Sequence, residues 1–227
     1  MPIERFSPEL DRIVSSDQEV EVLSSGYGAE ESPDLDSRRL GIYPNPEGPV
    51  WIAEEGYLLF SDIGHNRRIK WAPGEGISVF HEPTNYANGL TRDPQGRLLA
   101  CEQGARRVAR IEHDGATTVV ANRYQGKRLN RPNDVVARSD GSIYFSDPGA
   151  PAPGLDLDVA GYYLVTPDLG DVVLLVDLGA PNGLALSADE SLLYLTHSRN
   201  RQIWAYDLMR NGSISRPSGR VLCQLKE

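Results

Sequence analysis

The sequence predicts an all-β protein built as a β-propeller, and three observations support this prediction. A unit of one turn and two strands recurs about every 45 residues along the chain. Leucine, β-branched and aromatic residues are concentrated in short runs between Gly, Pro, Asn and Asp. No segment of about ten or more residues has the apolar period of an amphipathic helix. A β-sandwich would also contain many short strands, but it does not require a repeat of this length.

Four segments carry the repeat. In each, a polar turn with an acidic residue precedes an apolar strand, and a charged turn then leads into a second strand. The corresponding turn positions 56, 96, 141 and 191 lie 40, 45 and 50 residues apart, which is typical of a blade of four short antiparallel strands. The segments are 54–60 with 68–71, 93–100 with 108–111, 139–145 with 162–165, and 188–195 with 202–206.

The rest of the chain is expected to belong to the same domain, residues 1–227. Residues 1–40 are predicted to form an N-terminal strand, near Val20–Leu23, and a loop that leads into the first blade. Residues 41–219 would form four blades, and residues 220–227 would begin a fifth. The Pro- and Gly-containing stretch 148–158 is predicted to be a surface loop of the third blade.

Composition restricts the partners. The 23 Lys and Arg residues against 32 Asp and Glu residues give a net charge of -9, which argues against nucleic acid or an anionic membrane and favours a small-molecule ligand. No apolar run approaches the ~20 residues of a membrane span, and no signal peptide is recognisable, so we expect a cytoplasmic protein. Cys101 and Cys223 lie in apolar runs and are expected to be buried thiols.

A residue that can coordinate a metal or donate a hydrogen bond stands at the start of each predicted inner strand. These residues are Glu47, Asn88, Asn133 and Asn182, which are 41, 45 and 49 residues apart, in step with the blade repeat. Because equivalent positions of successive blades are related by rotation about the propeller axis, the four side chains should converge at one end of the central channel. A single Asn-Gly pair is more often only a turn, and the shared spacing is what favours a site.

One carboxylate with several amide oxygens favours a hard divalent cation. Ca²⁺ is the expected ion, with Mg²⁺, Mn²⁺ and Zn²⁺ as alternatives. The four histidines, His65, His81, His113 and His197, lack the spacing of a zinc site and are expected at turns or on the surface.

Four motifs of the sequence resemble those of a known family, the six-bladed propellers of gluconolactonase, senescence-marker-protein-30 (regucalcin) and Drp35. The resemblance implies a metal-dependent lactone hydrolase whose metal ligands would be Glu47, Asn133 and Asn182. It also implies that Arg131, Asn133 and Asn88 line the substrate site. The motifs are Glu47-Gly48-Pro49-Val50-Trp51, Asn88-Gly89-Leu90-Thr91, Arg131-Pro132-Asn133-Asp134 with Tyr144-Phe145-Ser146-Asp147-Pro148, and Pro181-Asn182-Gly183-Leu184.

The resemblance also implies a further metal ligand, an aspartate in a later blade, which would act as general base. The spacing series places the next channel position at or after residue 227, so we expect the last one and a half to two blades of a six-bladed propeller to be absent. Glu47 and Asp134 are then the motif carboxylates left to support catalysis, and a polypeptide ending at residue 227 is expected to be inactive.

The predicted function is hydrolysis of a sugar lactone by water, with the metal polarising the carbonyl group. Two alternatives stay open: a non-catalytic metal-containing propeller that serves as a binding or regulatory module, and a hydrolase of a xenobiotic lactone or phosphotriester. Arg131 could equally belong to a structural ion pair. Asp134 is predicted to orient Asn133, and Asp147 to be a turn residue at a strand end. The oligomeric state is left open.

Overall fold

The computed structural model describes residues 8–15, 17–25, 45–149 and 154–225. Within them, four antiparallel sheets of four strands follow one another along the chain as four blades of a propeller. This confirms the all-β propeller. The blades are β1 (Pro46–Ile52), β2 (Tyr57–Asp62), β3 (Arg67–Ala72) and β4 (Gly76–His81); β5 (Ala87–Arg92), β6 (Leu98–Glu102), β7 (Arg107–Ile111) and β8 (Thr117–Ala121); β11 (Val135–Ala137), β12 (Ile143–Asp147), β13 (Gly161–Val165) and β14 (Val172–Asp177); β15 (Pro181–Leu186), β16 (Leu192–His197), β17 (Gln202–Asp207) and β18 (Arg220–Gln224).

The remaining elements are short. A two-stranded ribbon of β9 (Arg123–Tyr124) and β10 (Lys127–Arg128) joins the second blade to the third. Among the described residues, four 3₁₀ helices cover Pro8–Arg12, Ile63–His65, Ser198–Asn200 and Arg216–Ser218. In the part of the chain that the structure describes, no helix is long and apolar enough to cross a membrane.

The first strand of each blade lies innermost. β5 contacts β1 on one side and β11 on the other, and β11 in turn contacts β15. The four inner strands are therefore neighbours around the channel, as the repeat predicts.

In the described part of the chain the core consists of three apolar clusters, one between each pair of neighbouring blades. Strand β12 shows how they form, because its five residues are all buried and successive side chains point to opposite faces. Phe145 stacks on Tyr163 in the cluster shared with the second blade, with ring centroids 5.1 Å apart. Tyr144 faces the cluster shared with the fourth blade. Each such side chain contributes about 1.5–3 kcal/mol by leaving water, so every blade depends on its neighbours.

Two predicted elements differ from the structure. The strand expected to begin a fifth blade, Arg220–Gln224, is the outer strand of the fourth blade, where it pairs with β17 (Gln202 opposite Gln224, Ala205 opposite Arg220). Without it the fourth sheet would lack an outer strand. Val20–Leu23 is not a strand among the described residues, since no neighbouring strand pairs with it. The predicted lead-in from residue 26 to residue 44 lies outside the described residues.

The cysteine prediction was half wrong. Cys101 is completely buried in the cluster between the second and third blades, as expected. Cys223 is exposed because it lies on the outermost strand, which has a neighbour on one side only. Both thiols are free.

Candidate functional site

The structure brings the predicted inner-strand residues together. Glu47, Asn88, Asn133, Asp134 and Asn182 all line one cavity of about 300 Å³ at the end of the channel where the inner strands begin. The wall between them consists of small or apolar residues: Gly48, Pro49, Gly89, Leu90 and Gly183. The four blades therefore contribute at least one polar side chain each. Arg131 does not line this cavity.

A β-bulge recurs at the motif in three of the four inner strands. The pairing register shifts between Glu47 and Val50 in β1, between Ala87 and Leu90 in β5, and between Pro181 and Leu184 in β15. A bulge inserts an unpaired residue and turns side chains away from the regular alternation. It thus lets polar side chains of an otherwise apolar strand point into the channel.

Glycines allow the inner strands to approach closely at this level. Gly48 has a φ of +60°, and a Cβ atom there would lie 2.4 Å from the carbonyl oxygen of Asn88. At Gly89 a Cβ atom would lie 2.5 Å from Oδ1 of Asp134. The N–H of Gly89 donates a hydrogen bond to the carbonyl oxygen of Asn133, at 2.7 Å. The Glu47-Gly48 and Asn88-Gly89 pairs therefore act as more than turns, since glycine at positions 48 and 89 is required for contact between blades.

Asp134 joins the third and fourth blades. Its Oδ1 accepts a hydrogen bond from the N–H of Val135 at 2.9 Å, and its Oδ2 accepts one from the N–H of Leu184 at 3.3 Å. Burial raises the pKa of Asp134 above its ordinary value, and these two hydrogen bonds partly oppose the rise. Asp134 is thus a negative charge held in place by the backbone beside Asn133.

Glu47 supplies a second carboxylate to the same cavity. The residue as a whole is exposed, yet partial burial of its carboxyl group raises the pKa, and the negative charge of Asp134 raises it further. A carboxylate whose pKa is raised by the charge of a second carboxylate favours a positive charge nearby. This electrostatic feature fits a cation.

The donor chemistry also fits a hard cation. Carboxylate and amide oxygens line the cavity, and none of the four histidines or two cysteines does. Among the described residues, no three His, Cys, Asp or Glu side chains form a cluster that could hold a metal. A cation here would therefore depend on the asparagine oxygens together with Glu47, and the ligand set Glu47, Asn133 and Asn182 stays a prediction.

Two further residues support the motifs through hydrogen bonds, and one of them, Tyr162, carries no recognisable signal in the sequence. The hydroxyl of Tyr162 accepts a hydrogen bond from the N–H of Asn182 at 3.0 Å and donates one to the carbonyl oxygen of Thr196 at 2.6 Å. Ser146, which belongs to the third motif, supports Asp134: its Oγ accepts a hydrogen bond from the N–H of Asp134 at 3.1 Å. Tyr162 lies in an apolar run, where the sequence pattern predicts a core residue.

Asp147 is buried rather than a simple turn residue. Its Oδ2 accepts a hydrogen bond from the N–H of Asn130 at 2.6 Å, and its Oδ1 accepts one from the N–H of Arg131 at 2.8 Å. This carboxylate thereby fixes the backbone that enters the Arg131–Asn133 motif.

The amino-acid sequence of the chain is similar to those of known lactonases. The family model described as SMP-30/gluconolactonase/LRE-like region matches residues 45–226. A gluconolactonase of Zymomonas mobilis is 32% identical over 97% of this chain, which spans 63% of that protein's length. A pentonolactonase, XacC, of Haloferax volcanii is 29% identical over 70% of this chain, and the match spans 52% of the length of XacC.

Solved structures agree with these relatives. The chain superposes on a gluconolactonase of Xanthomonas campestris with a TM-score of 0.72 and 33% sequence identity, over 80% of this chain and 63% of that one. The chain thus spans less than two thirds of the length of each of these relatives.

Proposed function

The chain belongs to the SMP-30/gluconolactonase/LRE-like family, and we propose that its cavity binds a divalent cation and a sugar lactone, which the protein hydrolyses. The observation that supports this most is the convergence of Glu47, Asn133, Asp134 and Asn182 on one cavity. Relatives named gluconolactonase and pentonolactonase support the substrate class. A volume of about 300 Å³ suits a small ligand.

Glu47, Asn133 and Asn182 would hold the cation, with Ca²⁺ as the first choice and Mg²⁺, Mn²⁺ or Zn²⁺ as alternatives. When bound, such an ion acts as a Lewis acid that polarises the ester carbonyl. Asp134 keeps the backbone of the third motif against the fourth blade and adds a negative charge beside the ligands. This charge strengthens the attraction for a cation without requiring Asp134 to be a ligand.

Substrate binding would fall to Asn88 and Asn133, which line the cavity, and to Arg131, which belongs to the same motif as Asn133 but does not line the cavity. Asn88 is almost completely buried, so its amide can donate to a sugar hydroxyl where water does not compete. The guanidinium of Arg131 has the geometry to bind two hydroxyl oxygens or a carboxylate at once. Water that attacks the ester carbon must lose a proton, and the carboxylates of the described residues that line this cavity are Glu47 and Asp134.

A substrate panel tests the proposal. The protein, both as the 227-residue chain and with any residues its gene encodes after Glu227, is assayed on a sugar lactone, an aliphatic lactone and a phosphotriester. We expect the 227-residue chain alone to be inactive. With any further encoded residues, hydrolysis of the sugar lactone should require a divalent cation, stop with chelator and return when Ca²⁺ is added. Cation binding without turnover of any ester would instead support a binding module, and the phosphotriester as best substrate would overturn the substrate class.

A further inference from the structure

Asn130 is a completely buried asparagine just before the third motif. Its Nδ2 donates hydrogen bonds to the carbonyl oxygens of Gly149 and Leu157, at 2.6 and 2.9 Å. Its Oδ1 accepts hydrogen bonds from the N–H groups of Asp156 and Leu157, both at 3.0 Å. The amide thus uses both donors and both lone pairs, which leaves it no freedom to turn. One side chain holds the backbone on both sides of the third-blade loop.

The surroundings of Asn130 leave no space for another arrangement. A Cβ atom at Gly149 would lie 2.3 Å from the Cβ atom of Asn130, so only glycine permits this approach. Arg106 closes the other side: its Nε donates to the carbonyl oxygen of Leu129 at 2.6 Å, and its Nη1 donates to that of Gly154 at 3.2 Å. The position of Asn130 is therefore fixed from several directions.

Asp147 connects Asn130 to the Arg131–Asn133 motif through hydrogen bonds with the backbone. It is completely buried at the end of β12 and accepts the N–H groups of Asn130 and Arg131 on its two oxygens. The next residue, Pro132, has no N–H to donate. The N–H of Asn133 donates to the carbonyl oxygen of Ser146 at 2.8 Å, adjacent to Asp147. From Asn130 to Asn133, every backbone N–H is thus bonded to residues 146 and 147.

We propose that Asn130 and Asp147 are positioning residues that hold Arg131 and Asn133 in the geometry needed to bind substrate. The proposal rests on the proposed function, because it takes Arg131 as a substrate contact. Neither side chain lines the cavity, so each acts through the backbone of the motif. Their loss should affect substrate affinity more than cation affinity, since of the three proposed cation ligands only Asn133 lies on this segment and Glu47 and Asn182 lie on other blades.

The test uses Asp147→Asn, which keeps the shape of the side chain. An amide presents one oxygen, so at least one of the two N–H groups would face the NH₂ group instead of an acceptor. The variant is made in the wild-type protein and in Arg131→Ala. Tyr144→Phe is the matched control, because it removes one buried hydrogen bond, from the Tyr144 hydroxyl to the carbonyl oxygen of Gly212, at the opposite end of the same strand.

We expect Asp147→Asn to raise KM for the sugar lactone about tenfold in the wild-type protein and less than about twofold in Arg131→Ala. Its Kd for Ca²⁺ should rise less than KM does, because only one of the three proposed cation ligands, Asn133, lies on the affected segment, and Tyr144→Phe should leave KM unchanged. Asn130→Asp, which removes both donors to Gly149 and Leu157, should raise KM in the same background-dependent way. An equal rise of KM in both backgrounds would overturn the positioning of Arg131 while leaving the proposed function intact.

A second measurement does not depend on activity. Amide hydrogen exchange at Arg131 and Asn133 should become at least about tenfold faster in Asp147→Asn and stay unchanged in Tyr144→Phe. Unchanged exchange at both residues would overturn the proposal even in a protein that hydrolyses the lactone. If Arg131→Ala alone leaves KM at the wild-type value, Arg131 is not a substrate contact and both this proposal and that part of the proposed function fail.

Discussion

The raised pKa values of Glu47 and Asp134 give the cavity its electrostatic character. Each carboxylate is partly removed from water, and the charge of Asp134 also raises the pKa of Glu47. The sequence pattern does not predict this interaction, because the two residues belong to the first and third blades and are far apart along the chain. The spacing predicts that Glu47 faces the channel, whereas the backbone partners of Asp134 depend on the closeness of β15.

Glu47→Gln should weaken Ca²⁺ binding at least about tenfold, because it replaces a charged ligand by a neutral one of the same shape. Isothermal titration of the chelator-treated protein measures this affinity. Glu54→Gln is the control. Glu54 lies in the turn after β1, away from the cavity, and forms an ion pair with Arg92. Equal affinities of Glu47→Gln and wild type would contradict the role of Glu47.

Arg68→Met should stabilise the protein. The side chain of Arg68 is buried, its Nε has no hydrogen-bond partner among the described residues, and burial lowers its pKa to about 10. An apolar side chain of similar length removes this desolvation cost, and we expect a gain of about 1 kcal/mol in the free energy of unfolding.

Arg107→Met provides the comparison, because Arg107 Nε donates to the buried Glu102 at 2.7 Å and its loss should destabilise the protein. Urea denaturation of both variants measures the difference. A lower stability of Arg68→Met than of wild type would show that its attraction to Glu102 outweighs its desolvation.

At the scale of the elements, the recurring bulge explains how apolar strands present polar side chains. The repeat of Glu-Gly and Asn-Gly pairs predicts where this happens. The bulge itself depends on hydrogen bonds with β2, β6 and β16, which a pattern within one strand does not contain. For the same reason the blade to which Arg220–Gln224 belongs was predicted wrongly. Its apolar residues predict a strand, but only its pairing with β17 assigns that strand to the fourth blade.

Gly48→Ala and Gly56→Ala separate backbone strain from close packing. Both glycines have positive φ, +60° and +71°, but a Cβ atom at Gly56 would meet nothing within 4 Å, whereas at Gly48 it would overlap the backbone of β5. We expect about 1 kcal/mol of destabilisation for Gly56→Ala and at least about 2 kcal/mol more for Gly48→Ala. Thermal or urea unfolding measures both. Equal losses would show that the inner strands can separate at no cost.

At the scale of the whole molecule, each blade is stabilised by its neighbours, and the periodic spacing was sufficient to predict this architecture. The total of six blades stays a prediction, since the described residues form four. On the first blade, Val50 and Ile52 pack toward the second blade, so the alternation of β1 turns Trp51 the other way, where it is 48% exposed. Val221 and Leu222 are also exposed, at 43% and 58%, on the outer strand of the fourth blade.

A polypeptide of residues 1–227 alone should therefore self-associate at micromolar concentration, because exposed apolar side chains and a strand edge favour contact between copies. Sedimentation velocity measures the association. Trp51→Gln should reduce it, while Trp71→Phe, on β3, serves as an aromatic control. A monomeric wild-type polypeptide with a sharp unfolding transition would contradict this prediction.

The most direct test of the central claim, that the cavity at the start of the inner strands holds a divalent cation, is anomalous diffraction from crystals grown with Mn²⁺. We predict one strong peak about 2.0–2.6 Å from oxygens of Glu47, Asn133 and Asn182, and its loss in Glu47→Gln. A fully occupied peak elsewhere, or none in the cavity at saturating Mn²⁺, would contradict the account.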